Sequence, residues 1–221
     1  MKYYPIFLRV AQRSCLIVGG GKVAQQKALS LLGAGAAVTV ISPELTAELQ
    51  ALAANGRITH LARPYAPRDV CGYVLAYAAT GDPVVDRHIV RDAEDAGVLV
   101  NVVDQPDLCD FIAPAVMRRG DLLIATSTSG ASPTLAKRIR QDLEAQFGEE
   151  YAEVLLVLRR VRQRLKAAGC AAVERQRIFA ALVESPLPEL LRQRKHADVD
   201  QLLAVTVGRG VSLASLGVVS G

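Results

Sequence analysis

Cys15-Leu16-Ile17-Val18-Gly19-Gly20-Gly21-Lys22-Val23-Ala24 is the stretch whose reading decides the fold. A short apolar run, Cys15 to Val18, stops at three glycines. Behind them Ala24, Ala28, Leu31 and Leu32 recur at the spacing of one helix face. The pattern is strand, tight turn, helix. Gly19 and Gly21, with Ala24 in third place, fit the G-x-G-x-x-G/A dinucleotide fingerprint. The first glycine permits the turn. The second removes a Cβ that would bump the pyrophosphate, and the small Ala24 lets helix and strand pack closely. The helix N-terminus then offers N–H groups and partial positive charge to the phosphates.

Downstream the same alternation repeats. Ala37–Ile41 is a β-rich run, and Ser42-Pro43-Glu44 is expected to open a helix carrying Leu45, Leu49, Leu52 and Ala53. Ile58–Leu61 reads as a third strand and Tyr73–Ala79 as a strand covered on both faces. After Thr80-Gly81, Asp82 supplies an N-cap and Pro83 a first helical residue, and Gly97 stops that helix. Val98–Val103 is another buried strand, ending at Asp104. These alternations predict an α/β, Rossmann-type, doubly wound parallel sheet over residues 1–112. Right-handed crossovers put Gly19–Gly21, Ser42–Glu44, Thr80–Asp82 and Asp104 on one edge, where such sheets bind ligands.

Beyond residue 112 the pattern changes. Phe111–Met117 and Leu122–Thr126, joined by Arg118-Arg119-Gly120-Asp121, read as two antiparallel strands. Ser132 and Pro133 then start a helix bearing Leu135, Ala136, Ile139 and Leu143. Residues 113–148 are assigned to dimerisation, because this small element exposes apolar faces that the two-sided Rossmann half has little room to cover. Residues 149–207 form a helical domain, and the Gly- and Ser-containing tail, 208–221, is expected to fray.

Composition sets outer bounds. The chain has 221 residues, of which 51% are hydrophobic, so a packed core is available. No apolar run approaches the roughly 18 residues of a membrane span, and no leader is recognisable, which points to the cytoplasm. The four cysteines are scattered and suggest neither disulfides nor zinc. His60, His88 and His196 are too separated for a metal site. A net charge of +4 favours anionic partners. Nucleic acid is disfavoured, because the arginine-rich Arg159–Lys166 segment lacks interleaved aromatics.

Four pieces, in order, resemble the dehydrogenase–chelatase module of siroheme synthase. They are Pro5-Ile6-Phe7, Val18-Gly19-Gly20-Gly21-Lys22-Val23-Ala24, Asn101-Val102-Val103-Asp104, and Thr126-Ser127-Thr128-Ser129-Gly130-Ala131-Ser132-Pro133. The family is precorrin-2 dehydrogenase, some of whose members are also sirohydrochlorin ferrochelatases that take Fe2+. The resemblance covers about residues 1–200 and implies NAD-linked oxidation of precorrin-2 to sirohydrochlorin, in siroheme or cobalamin synthesis, by a homodimer. The chain's length matches the stand-alone form. By position, the family's NAD contacts fall on Lys22, Val23, Pro43 and Glu44, and its essential aspartate on Asp104.

The residues make chemical sense in those roles. Oxidising a reduced tetrapyrrole removes a hydride and a proton, and Asp104 at a strand end is a candidate base for the proton. The plainer role for Asp104 is to cap the turn before Gln105-Pro106. Thr80 joins Gly19, Gly21 and Ala24 on the cofactor's edge. Glu44 is placed to accept ribose hydroxyls and to repel a 2′-phosphate, so NAD+ is expected over NADP+. For the polycarboxylate substrate, Ser127, Thr128, Ser129, Gly130, Ser132 and Lys137 offer an anion cradle at a helix N-terminus, although an ordinary capped turn looks the same. The competing function is a regulatory module that binds NAD without chemistry.

Overall fold

A computed structural model describes residues 3–218, which fall into two compact units divided between Ala113 and Pro114. The first unit is the expected Rossmann-type sheet. Its five strands are β1 (Ser14–Val18), β2 (Ala37–Ile41), β3 (Thr59–Leu61), β4 (Leu75–Ala78) and β5 (Leu99–Val102), all parallel in the order β3-β2-β1-β4-β5. Side chains of β1 alternate between two cores, as a strand's two-residue period requires. Cys15 and Ile17 pack with Ala24, Ala28 and Leu31 of helix α1 (Lys22–Gly33). Leu16 and Val18 pack with Ile89, Val90 and Ala93 of the helix after β4. Because β2 and β4 flank β1, the direction of winding reverses beside β1, and a crevice opens at the C-terminal strand ends.

Two details of this unit differ from expectation. The second helix, α2 (Ala47–Ala54), starts later than Ser42, with Thr46 as its cap: the Thr46 hydroxyl accepts from Leu49 N at 3.4 Å. Ser42–Leu45 is instead a loop drawn onto the glycines, with Thr46 N donating to Gly20 O at 3.0 Å. Phe111 belongs to no strand. It packs edge-on against Tyr77, ring centroids 5.4 Å apart, while Asn101 Nδ2 donates to its carbonyl at 2.8 Å. Helix α3 (Pro83–Ala96) has the expected cap, since Asp82 accepts from Val84 N at 2.8 Å.

The second unit opens with the hairpin β6 (Ala115–Arg119) and β7 (Leu122–Thr126), in which Arg119 pairs with Leu122 across Gly120-Asp121. Helix α4 (Pro133–Gln146) is capped by Ser132, which accepts from Leu135 N at 3.2 Å. It packs on the hairpin face that buries Met117, and there the Thr126 hydroxyl reaches Ala136 O. Of the stripe Leu135, Ala136, Ile139 and Leu143, only Ala136 is buried. Helices α5 (Glu150–Ala167), α6 (Ala172–Glu184), α7 (Leu187–Arg192) and α8 (His196–Thr206) share one apolar core. The tail was expected to fray and instead packs: Val211, Leu213, Leu216 and Val218 are buried in that core, and Leu213 N donates to Asp200 at 2.7 Å. The tail's last residues, 219–221, and the first two residues of the chain lie outside the described residues.

Candidate active site

The three glycines meet different surroundings. Gly19 has φ +119°, and a Cβ on it would stand 2.2 Å from the carbonyl oxygen of Ala79, the residue after β4. A Cβ on Gly20 would stand 1.8 Å from Glu44 O in the β2–α2 loop. That loop is further tied by the Thr46 hydroxyl, which donates to Gln25 Oε1 at 2.7 Å. On Gly21, the residue preceding α1, a Cβ would meet nothing within 4 Å. No side chain caps α1, and no acidic residue lies in its first turn. Helices α2, α3 and α4 are all capped by a Thr, Asp or Ser oxygen. An uncapped helix N-terminus facing a space kept clear by glycine fits a dinucleotide pyrophosphate. Ala24, 1% exposed, closes the helix onto the sheet, while Lys22 and Val23 are exposed on the first turn.

Beside the glycines lies a cleft of about 480 Å³. Val23 forms one wall, Thr80, Gly81 and Pro83 a second, and Asp104 and Gln105 a third. Asp104 is exposed and left-handed, with φ +61°, a conformation that Asp and Asn adopt more readily than most residues. No side chain caps the short 3₁₀ turn Pro106–Leu108 that follows. The capping role weighed for Asp104 is therefore absent; the residue lines the cleft, and its carboxylate has no protein partner among the described residues.

Asp86, on the cleft floor, escaped the sequence reading. It is 3% exposed, accepts from the Thr80 hydroxyl at 2.6 Å and from Gln105 Nε2 at 3.0 Å, and so joins two walls of the cleft. Thr80 also accepts from Asp82 N at 3.0 Å, so its hydroxyl serves the loop as well as lining the cleft. The signal for Asp86 lay in α3, whose buried stripe is Asp86, Ile89, Val90 and Ala93. A carboxylate on an apolar stripe needs hydrogen-bond donors beside it.

Pro43 and Glu44 are exposed at the end of β2, on the other side of the glycine loop from Thr80. His60 is structural, its Nε2 lying 2.9 Å from Ser42 O. The serine-rich loop belongs to the second unit and largely closes on itself. Thr128 Oγ1 donates to Ser132 O and accepts from Ser132 N, both at 3.0 Å, and Ser127 accepts from Ser129 N at 3.0 Å. Ser129 and Gly130 form an exposed tip, and Lys137 is exposed on α4. Arg138 and Arg140 pair along α4 with Asp142 and Glu144. Among the described residues no group of three His, Cys, Asp or Glu side chains could hold a metal, and no helix is long and apolar enough to cross a membrane.

By fold and by site, the first unit is a Rossmann-type domain built for a nicotinamide dinucleotide. Comparison with known proteins agrees: residues 6–115 match the family described as "Putative NAD(P)-binding", and residues 119–146 match "Sirohaem biosynthesis protein central". Siroheme synthase of Thioalkalivibrio sulfidiphilus is 36% identical over 98% of this chain and 44% of its own length. Siroheme synthase of Chromobacterium violaceum is 40% identical over 86% of this chain and 40% of its own. The chain thus spans less than half the length of these curated relatives. A solved structure, SirC, a precorrin-2 dehydrogenase, superposes with a TM-score of 0.76 at 28% identity, covering 90% of this chain and 98% of that one. The chain is thus similar, along nearly its whole length, to part of the siroheme synthases and to a precorrin-2 dehydrogenase.

Proposed function

We propose that this chain oxidises precorrin-2 to sirohydrochlorin with NAD+, a step of siroheme or cobalamin synthesis, in the cytoplasm. The observation that carries this reading is the unpartnered carboxylate of Asp104 on a cleft that adjoins the glycine loop. Likeness to a precorrin-2 dehydrogenase over nearly its whole length supports the same chemistry. When bound, NAD+ supplies the hydride acceptor. The chain's residues do the rest. Gly19, Gly21, Lys22, Val23 and Ala24 seat the dinucleotide, Thr80 shapes the cleft, and Asp104 accepts the proton lost from the substrate. The Ser129–Gly130 tip of the Ser127–Ser132 loop and Lys137 of α4 are the groups left to meet substrate carboxylates, since the Thr128 and Ser132 oxygens are engaged at home.

Incubation with precorrin-2 and NAD+ is expected to form NADH and sirohydrochlorin together. Tight NAD+ binding without turnover would return the protein to the non-catalytic sensing class. Glu44 favours NAD+ over NADP+, and titration is expected to show the tighter Kd for NAD+. Iron insertion would draw on the same carboxylate, because two pyrrole N–H protons must leave. Supplying sirohydrochlorin and Fe2+ without NAD+ tests it separately.

The same reading includes a homodimer. Val116 and Leu123, 45% and 42% exposed, lie on the hairpin face opposite Met117, while Leu135 and Ile139, 51% and 37% exposed, form a stripe on α4. Apolar surface of this kind is usually covered by a partner, and a second copy satisfies it symmetrically. Light scattering at micromolar concentration is expected to give twice the chain mass. A monomer would refute the assembly.

A further inference from the structure

The cofactor's adenosine half lies, by the rule of this fold, at the end of β2 beside the glycine loop, where an arginine nearby accommodates the 2′-phosphate of NADP. The Ser42–Leu45 loop occupies that place and carries no arginine. The adjoining strand supplies one. β3 pairs with β2 so that Leu61 stands opposite Ile41, and Ser42 N donates to Leu61 O at 3.2 Å. The chain then turns at once, Arg63 N donating to the same Leu61 O at 2.8 Å, so Arg63 leaves the sheet on the same rim as Pro43 and Glu44.

The Arg63 guanidinium is engaged elsewhere. Its two terminal nitrogens donate to the two oxygens of Asp69, at 2.6 and 2.8 Å, and one also donates to Pro64 O at 3.0 Å. Asp69 is itself fixed in its turn, accepting from Ala66 N at 2.7 Å, and its side chain is 16% exposed. A two-pronged, charge-assisted pair of this kind fixes orientation as well as adding energy, and it neutralises the charge that a phosphate would seek. Each partner holds the other ionised: Asp69 draws the guanidinium's affinity for its proton up, and Arg63 holds the carboxyl below its usual range.

We propose that Asp69 is a specificity-determining residue of the dinucleotide site, holding Arg63 away from a 2′-phosphate and so keeping the chain selective for NAD. The proposal rests on the dinucleotide reading above and adds to Glu44 a second device, which withholds attraction where Glu44 supplies repulsion. Asp69→Asn keeps an oxygen for Ala66 N and removes the charge that holds Arg63. In equilibrium titrations with NAD+ and NADP+, this variant is expected to gain about tenfold in NADP+ affinity relative to NAD+, the scale of one hydrogen bond to a charged group. Asp69→Asn combined with Arg63→Ala is expected to lose that gain, because the released cation is the cause. Should the asparagine variant fail to fold, Asp69→Ser keeps the acceptor for Ala66 N and carries the same expectation. NAD+ binding by the wild type with an unchanged NADP+/NAD+ ratio in the variant overturns the proposal alone. Wild-type protein that binds neither dinucleotide overturns it together with the cofactor reading.

Discussion

Asp104→Asn is expected to stay folded, to bind NAD+ as the wild type does, and to oxidise precorrin-2 about 10²–10⁴-fold more slowly. The structure separates the roles this residue could have. A turn cap would lose about 0.5–2 kcal/mol of stability on losing its acceptor, with turnover per folded molecule preserved. No side chain caps the turn after Asp104, so thermal unfolding should hardly change. Asparagine also tolerates the left-handed backbone found here, φ +61°, so the corner itself is kept. What the substitution removes is a carboxylate able to accept a proton. If Asp104 only oriented substrate, KM would rise while kcat held; as the base, it takes kcat down with it. Full turnover by the variant would remove the aspartate from the chemistry. Direct supply of sirohydrochlorin and Fe2+ to the same variant then shows whether one carboxylate serves both proton losses.

What the sequence made legible is local. The strand–glycine–helix unit, the Asp82-Pro83 and Ser132-Pro133 helix starts and the alternation of β1 all rest on residues within a few positions of one another. Ser42-Pro43 carries the same signal as Asp82-Pro83 and yet starts no helix. Its loop is held by Gly20 and Gln25, more than fifteen residues earlier in the chain, and Thr46 does the capping instead. The tail failed as a prediction for a similar reason: its glycines suggest fraying, but Val211, Leu213, Leu216 and Val218 complete a core formed by α5 to α8. Asp86 was hidden because its partners, Thr80 and Gln105, come from the ends of two different strands and meet only in the folded sheet. Asp104 was visible through the Asn101–Asp104 motif, but whether it capped a turn or faced a cleft required the backbone.

The fingerprint glycines give the second large effect, and it divides between them. Gly19→Ala is expected to cost about 2–5 kcal/mol of stability, read as a drop in the unfolding midpoint and in the yield of folded protein. Two penalties combine: φ +119° is a conformation that L-residues rarely adopt, and the new methyl would lie 2.2 Å from Ala79 O. That oxygen is backbone beside β4, so relief requires the sheet's own rim to move. Gly21→Ala should behave in the opposite way. Its φ of −82° suits alanine and its Cβ would meet no protein atom within 4 Å, so stability should fall by no more than about 1 kcal/mol. The methyl would instead enter the space assigned to the pyrophosphate, and NAD+ affinity should fall at least about tenfold, some 1.4 kcal/mol. Isothermal titration and thermal unfolding of both variants separate the two roles. Wild-type NAD+ affinity in Gly21→Ala would mean that the phosphates lie elsewhere than on the N-terminus of α1.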